Sequence, residues 1–422
     1  MKEVKIENWY DTLYIRNLEV YDDVAFVFVN TSEDHPNLRK MKIGKILAMA
    51  AVATVFASCS NEEELANVGK SESNAIRFAG ISGLSDTRAT PINTANLTTT
   101  NFEVMAFMSA DNALFMGGKH ELGHSDQGVK IVYNTSAWDY ADKDQQAYWP
   151  TEGGDVDFYA VSPAMMNDLI PYFGYDMTSA AKTITYTTFD EYGSSSSTIA
   201  NQDVMYAVAK GRNKTNNGTT PVQMKFKHIL SQVVFKAKTT SSILEVDVEN
   251  VKIHNFVHGG TFTLPEVEPA MSDWTLSPVA AGAYTVKLNA ANVKTKNAVV
   301  ELSDMNSPLI MIPQKLTKWS TSTGAAVSKL DADKAKECYL EISMKLKQND
   351  SYLIGSATEY KTVYVPFDNA TGWEPGKRYI YTLIFGGGYD DHGEPILSPI
   401  TFDAATVDWA DANAGADVNV NF

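Results

Sequence analysis

Leu244-Glu245-Val246-Asp247-Val248-Glu249 and Leu340-Glu341-Ile342-Ser343-Met344-Lys345-Leu346 decide the fold class. In both, every second residue is apolar and the residues between are polar or charged. Strand side chains point alternately to the two faces of a sheet, so this pattern describes a half-buried antiparallel strand. Working outward, Phe102 to Met108, Val156 to Val161, Val204 to Ala209, Tyr284 to Leu288, Thr362 to Phe367 and Tyr379 to Phe385 are shorter or more apolar stretches of the same kind. Turn-formers separate them: Glu152-Gly153-Gly154-Asp155, Asn216-Asn217-Gly218, His258-Gly259-Gly260 and Gly386-Gly387-Gly388. Few stretches carry a 3.6-residue apolar period, which predicts an all-β chain built as sandwiches. No repeat of fixed period points to a propeller or solenoid.

The chain has 422 residues, 44% of them hydrophobic and 20% charged, an ordinary balance for a globular protein of two domains or more. With 51 acidic against 35 basic residues the net charge is −16, which disfavours nucleic acid as a partner. Two cysteines, Cys59 and Cys338, are too few for a disulfide scaffold or a cysteine-built zinc site. We place a domain boundary after the polar run Lys210 to Thr220, so that residues 89–220 form one sandwich and 221–422 a second. The second would open with a strand pair spanning Met224 to Lys238.

The N-terminal part reads as export machinery. From Met41, the basic residues Lys42 and Lys45 precede an apolar run, Ile46 to Phe56, and then Ala57-Ser58-Cys59. This is the layout of a signal peptide over 41–58, too short to span a bilayer, which needs about 20 apolar residues. Residues 1–40 are accordingly expected to be a mis-called upstream extension. Phe56-Ala57-Ser58-Cys59 resembles a lipobox, with phenylalanine where leucine is usual, and assigns lipid attachment to Cys59. Ser60-Asn61-Glu62-Glu63-Glu64 resembles the acidic tag that directs lipoproteins of the Bacteroides group to the outer face of the outer membrane.

Chemistry-bearing motifs are sparse. His120-Glu121-Leu122-Gly123-His124 matches HExxH, in which two histidines one helical turn apart hold zinc and the glutamate activates water. It lies between glycines, contains Gly123 and lacks an apolar stripe, so an exposed loop competes with a zinc peptidase site whose third ligand would be a distant carboxylate such as Glu152. Asp390-Asp391-His392-Gly393-Glu394 lacks the spacing of a calcium loop. His228 and His254 sit in strands beside apolar residues, as structural histidines do. Trp149, Trp274, Trp373 and Trp409 serve equally as core plugs or sugar platforms. No cofactor is expected, and no enzyme.

In order along the chain, the lipobox and acidic tag are followed by Ile76-Arg77-Phe78, Thr87-Arg88-Ala89, Tyr148-Trp149-Pro150 with Val156-Asp157-Phe158-Tyr159-Ala160, and Asp203-Val204-Met205-Tyr206-Ala207. Phe226-Lys227-His228, Ile312-Pro313-Gln314 and Trp373-Glu374-Pro375-Gly376-Lys377-Arg378-Tyr379 complete the series. Together they resemble the fimbrillin-like family, the pilin-type lipoproteins of the Bacteroides group that build type V pili. The resemblance implies two transthyretin-like antiparallel β-sandwiches in tandem, acylation of Cys59, and an outer-membrane and fimbrial location. It further implies cleavage by an arginine-specific protease after Arg88, with Arg77 as the alternative, and polymerisation by strand donation. Residues 59–88 would then be a lipidated, removable segment.

Ile76 and Phe78 alternate about Arg77, so this segment can lie as a strand with two side chains in the core. Its loss would open an apolar groove to β-strand addition by another subunit or a second copy. Val418, Val420 and Phe422 alternate with Asn419 and Asn421, as a donor strand does and as an ordinary last strand does. The expected partners are other pilus subunits, the protease, the membrane through Cys59, and a host or glycan receptor. The competing reading is a surface lipoprotein that binds glycan or host and never polymerises, with the zinc peptidase of His120, Glu121 and His124 as a third.

Overall fold

The computed structural model describes residues 14–21, 24–30, 41–43, 74–82, 94–117, 128–164, 173–187, 203–239, 241–277, 281–286, 288, 289, 291–304, 309–320, 328–385, 388, 389, 392, 395, 396 and 400–408. The chain divides into two units, Met1–Val68 and Gly69–Phe422. In the first, Tyr14–Tyr21, Val24–Asn30 and Met41–Ile43 form a three-stranded antiparallel sheet. The second is all-β, with α-helices among its described residues only at Thr94–Thr100, Lys214–Asn217 and Lys329–Ala335 and four sheets among those residues. No helix among the described residues is long and apolar enough to cross a membrane.

One large sheet runs in the order Phe78–Ser82, Val222–His228, Met205–Arg212, Val156–Ser162, Phe102–Met108, Val129–Asn134, Ala137–Tyr140. Its central strands are buried on both faces, which explains why Phe102–Met108 reads as nearly continuous apolar sequence instead of alternating. Phe102, Val104, Ala106, Phe158 and Ala160 point into one core together with Ile76, Phe78 and Trp149. Met105, Phe107, Tyr159 and Val161 point the other way, into a separate core.

That other core is roofed by a four-stranded antiparallel sheet ordered Phe173–Asp176, Thr183–Thr187, Gly259–Thr263, Trp274–Leu276. Two of its strands precede the expected domain boundary and two follow it, so the halves of the chain share a sheet and a core. Here the turn expected at His258-Gly259-Gly260 is absent. Gly259 and Gly260 are strand residues opposite Thr187 and Tyr186, and a Cβ on Gly260 would lie 3.0 Å from the Thr275 carbonyl oxygen. Glycine serves close strand packing at this position rather than chain reversal.

The strands expected to pair within Met224 to Lys238 are also differently placed. Val222–His228 belongs to the large first sheet, whereas Ser231–Lys238 pairs in parallel with Lys377–Ile384 in another sheet. Between them Ile229 and Leu230 are fully buried with no turn-forming residue, so the chain continues across the junction instead of folding back. Asn216-Asn217-Gly218, read as a turn, closes a one-turn helix in which the Asn216 amide donates to the capping Asn213 Oδ1.

The C-terminal half packs the sheet containing Leu244–Val257, Tyr339–Gln348 and Lys361–Pro366 against the one containing Ser231–Lys238, Lys377–Ile384 and Thr401–Asp408. The two stretches that decided the fold class are neighbours: Val246 opposes Leu346 and Val248 opposes Met344 across an antiparallel ladder. Their apolar faces are buried and the intervening residues half-buried or exposed. Trp373 is fully buried in this core, donating from Nε1 to the Tyr381 hydroxyl at 3.0 Å.

Candidate functional site at the seam of the first sheet

The segment Asn74–Ser82 lies between Val222–His228, near one end of the large sheet, and residues 147–149, which follow its last strand. On one side Phe78–Ser82 runs parallel to Val222–His228, with Phe78 opposite Val222, Gly80 opposite Met224 and Ser82 opposite Phe226. The Val222 amide donates to the Arg77 carbonyl at 2.7 Å. On the other side the Ile76 amide donates to the Ala147 carbonyl at 2.9 Å, the Trp149 amide to the Asn74 carbonyl at 3.0 Å, and Asn74 Nδ2 to the Trp149 carbonyl at 3.1 Å. The hydroxyl of Tyr140, from the strand at the far end of the sheet, donates to the Ile76 carbonyl at 3.0 Å. Burial pushes the Tyr140 phenol well above its ordinary range, so it stays a donor at physiological pH.

Side chains follow the strand period. Ile76 is fully buried and Phe78 is 4% exposed, while Arg77 between them is exposed and donates to the Thr219 carbonyl at 2.6 Å. Phe78 meets the edge of Phe158 with centroids 5.5 Å apart and the ring of Tyr140 at 6.0 Å. Gly80, next on the inward face, lies beneath Phe102 and Trp138: a Cβ there would be 3.1 Å from a ring carbon of each. Trp138 is held by Phe102 at 4.8 Å on one side and Tyr133 at 5.4 Å on the other. The segment thus fills three successive seats, two deep and apolar and one where even a methyl group would crowd the two rings. A cleft of about 260 Å³ lined by Ile76, Phe78, Trp138 and Tyr140 runs beside it.

Arg77 is accessible as a side chain, but its peptide bond is flanked by two buried residues and tied into both neighbours. Proteolysis there requires prior unfolding of the segment. Cys59, Arg88, His120, Glu121, His124, Trp409, Val418, Val420 and Phe422 lie outside the described residues, as do the carboxylates of the Asp390 cluster. No group of three or more metal-ligating side chains occurs among the described residues, and Glu152 sits exposed in the turn before Val156. His228 Nδ1 is 2.8 Å from Asp203 Oδ2, both buried, and His254 stacks on Tyr339 with Nε2 3.0 Å from Glu341. Trp149 is fully buried, and Trp274 donates to the Ile229 carbonyl at 2.9 Å.

Sequence reading anticipated the buried pair Ile76 and Phe78. It missed Tyr140, Trp138 and Gly80, because each acts across the sheet rather than along the chain. Gly80 two residues beyond Phe78 was the available signal, since glycine inside a strand marks close approach.

The chain is all-β, with Asn74–Ser82 bonded both to Val222–His228 and to residues 147–149. The family model described as fimbrillin-like matches residues 87–409, and the chain belongs to that family. Among solved structures, a proposed cell adhesion protein from Bacteroides uniformis is 13% identical, with 79% of this chain and 99% of that chain covered and a TM-score of 0.41. The tip fimbrial protein Mfa3 from Porphyromonas gingivalis, with a C-terminal truncation, is 9% identical over 79% of this chain and all (100%) of that one, TM-score 0.36. The fimbrial anchor protein Mfa2 from Porphyromonas gingivalis is 7% identical over 78% and 96%, TM-score 0.33. Comparison with curated proteins returns no match.

Proposed function

We propose that this protein is a structural or adhesive subunit of a cell-surface pilus, exported as a lipoprotein acylated on Cys59 and held at the outer membrane until an arginine-specific protease cuts it. On this reading Cys59 to Arg88 leaves with the lipid, and the remaining two transthyretin-like sandwiches polymerise by strand donation into the vacated groove. The observation that carries the reading is the seam. Asn74–Ser82 makes backbone bonds to Val222–His228 and to residues 147–149 yet lies upstream of Arg88, so one cut frees it without breaking the rest of the chain.

Its removal leaves the Val222 amide, the Ala147 carbonyl and the Tyr140 hydroxyl without their partners and bares an apolar groove beside Phe158. Each unmade buried hydrogen bond costs about 1–3 kcal/mol, so the opened subunit is driven to accept a strand. Arg88 is preferred over Arg77 because cutting at Arg77 requires unfolding a buried strand first.

The test is to treat the lipidated protein with an arginine-specific protease and follow its N-terminus and size. A new N-terminus at Ala89 with appearance of polymers is expected. A cleaved protein that stays monomeric and binds glycan favours the surface-binding reading, and resistance at both Arg88 and Arg77 excludes assembly by this route.

A further inference from the structure

Among the described residues six large apolar side chains are exposed, and four of them, Ile243, Val299, Tyr352 and Leu353, stand at one pole of the C-terminal half, 36–47% exposed. They come from three adjoining chain reversals, residues 239–243, 295–299 and 349–353. The Asn349 amide donates to the Ile243 carbonyl at 3.1 Å and the Asn297 amide to the Thr239 carbonyl at 2.7 Å. Asn297, Asn349 and Asp350 take left-handed backbone, with φ of 61°, 48° and 68°, which keeps the reversals tight. Exposed apolar residues scattered singly are ordinary, but a cluster of this kind marks a contact surface.

The charge around them differs from that of the chain. Lys238, Lys294, Lys296 and Lys347 sit in or beside the reversals, against Asp350, Glu245 and Glu301. Of these carboxylates, Glu245 accepts from Asn292 Nδ2 and Glu301 lies opposite a fifth lysine, Lys236. Lys347 Nζ stands 5.1 Å from the centroid of the Tyr352 ring, and Lys294 and Lys296 are exposed. On a chain of net charge −16, this pole carries an excess of lysine.

We propose that the pole docks on a lipid bilayer, with Ile243, Val299 and Leu353 entering the boundary between headgroups and acyl chains, Tyr352 at headgroup level and the lysines against anionic headgroups. Apolar side chains backed by tyrosine and lysine are the chemistry of an interfacial anchor. Three reversals make convex points. A folded partner would need a concavity for each, whereas a bilayer interface closes around them.

The bilayer is that of a facing cell. Asn74 bonds to Trp149 and precedes Phe78, which lies opposite Val222 at the start of its strand. That strand runs on through Ile229 and Leu230 into Ser231–Lys238, whose far end is the pole. Asn74 and the pole therefore lie at opposite ends. The direction rests on the acylation of Cys59 proposed above: a subunit held by that lipid turns its Asn74 end to its own membrane and the pole away from it.

The unit Gly69–Phe422 lacks Cys59 and the apolar run Ile46 to Phe56, so its binding is read independently of acylation. It should sediment with phosphatidylcholine vesicles containing phosphatidylglycerol, and less with phosphatidylcholine alone or at high salt. Ile243→Ser combined with Leu353→Ser should weaken partitioning about tenfold or more, with the melting temperature unchanged because both side chains are exposed. Lys294→Glu combined with Lys296→Glu should abolish the preference for anionic vesicles. Cys338 is buried, so an environment-sensitive dye can be attached selectively at Ser242→Cys on the pole or at Glu152→Cys, an exposed turn residue near Trp149. Only the dye at Ser242→Cys should shift to the blue when vesicles are added.

Absence of sedimentation, undiminished binding of the doubly serine-substituted protein, or equal shifts at both dye positions overturns the bilayer contact. A blue shift at Ser242→Cys that grows with protein concentration before vesicles are added makes the pole an interface between copies and overturns it as well. Binding confined to vesicles bearing lipopolysaccharide sets the pole on the protein's own cell surface and overturns the direction.

Discussion

Gly80 is the residue at which packing, not backbone conformation, demands glycine. Its Cβ position is occupied at 3.1 Å by Phe102 and Trp138. Gly80→Val should therefore destabilise the uncleaved protein by about 1–3 kcal/mol, read from the midpoint of urea denaturation, with Gly80→Ala much milder. Tyr140→Phe keeps the ring against Phe78 and removes only the donor to the Ile76 carbonyl, at a cost of about 1 kcal/mol. Asp176 offers a check on electrostatics away from the seam. Its carboxylate accepts from Ser179 and Thr178, and these bonds, led by the Ser179 hydroxyl, hold its pKa down to about 2. A depressed carboxylate contributes stability that is complete above its unfolded value of about 4 and fades as pH falls towards 2. Asp176→Ala should lower the melting temperature at pH 7, and its gap to the parent should close on acidification to pH 2.

At the scale of elements, the strand patterns were legible because a half-buried strand writes its period into its own residues. Leu244–Val257 and Tyr339–Gln348 are where alternation put them. The seam segment was half legible. Ile76 and Phe78 announce a buried face, but nothing local tells that their strand runs parallel to Val222–His228 or that Tyr140 caps it, since pairing partners lie far along the chain. Hydrogen exchange tests the pairing: the amides of Ile76 and Val222 should be protected in the intact protein. After cleavage at Arg88 and loss of the segment, the Val222 amide should exchange rapidly, and protection should return when a donor strand binds.

The whole molecule couples what the sequence separates. The four-stranded sheet draws strands from both halves, and Phe262 and Trp274 of the later half lie in one core with Phe107 and Tyr159 of the earlier. Halves joined in this way should unfold together, so calorimetry of residues 69–422 should show a single main transition. Phe262→Ala should lower all of it, by about 3–5 kcal/mol in stability. Two separate transitions, with only one moved by Phe262→Ala, would mean that the halves are energetically independent.

Composition, alternation and turn residues by themselves determined that the chain is all-β, and the order of its motifs determined its family, because these properties are local or additive along the chain. The tertiary structure alone decided that Val222–His228 belongs with the first sheet, that Gly259 and Gly260 continue a strand, and that Phe78, Tyr140, Trp138 and Gly80 meet at one seam. Those are contacts between residues dozens to more than a hundred positions apart, and their energies come from shape and distance across a core, which no local period records.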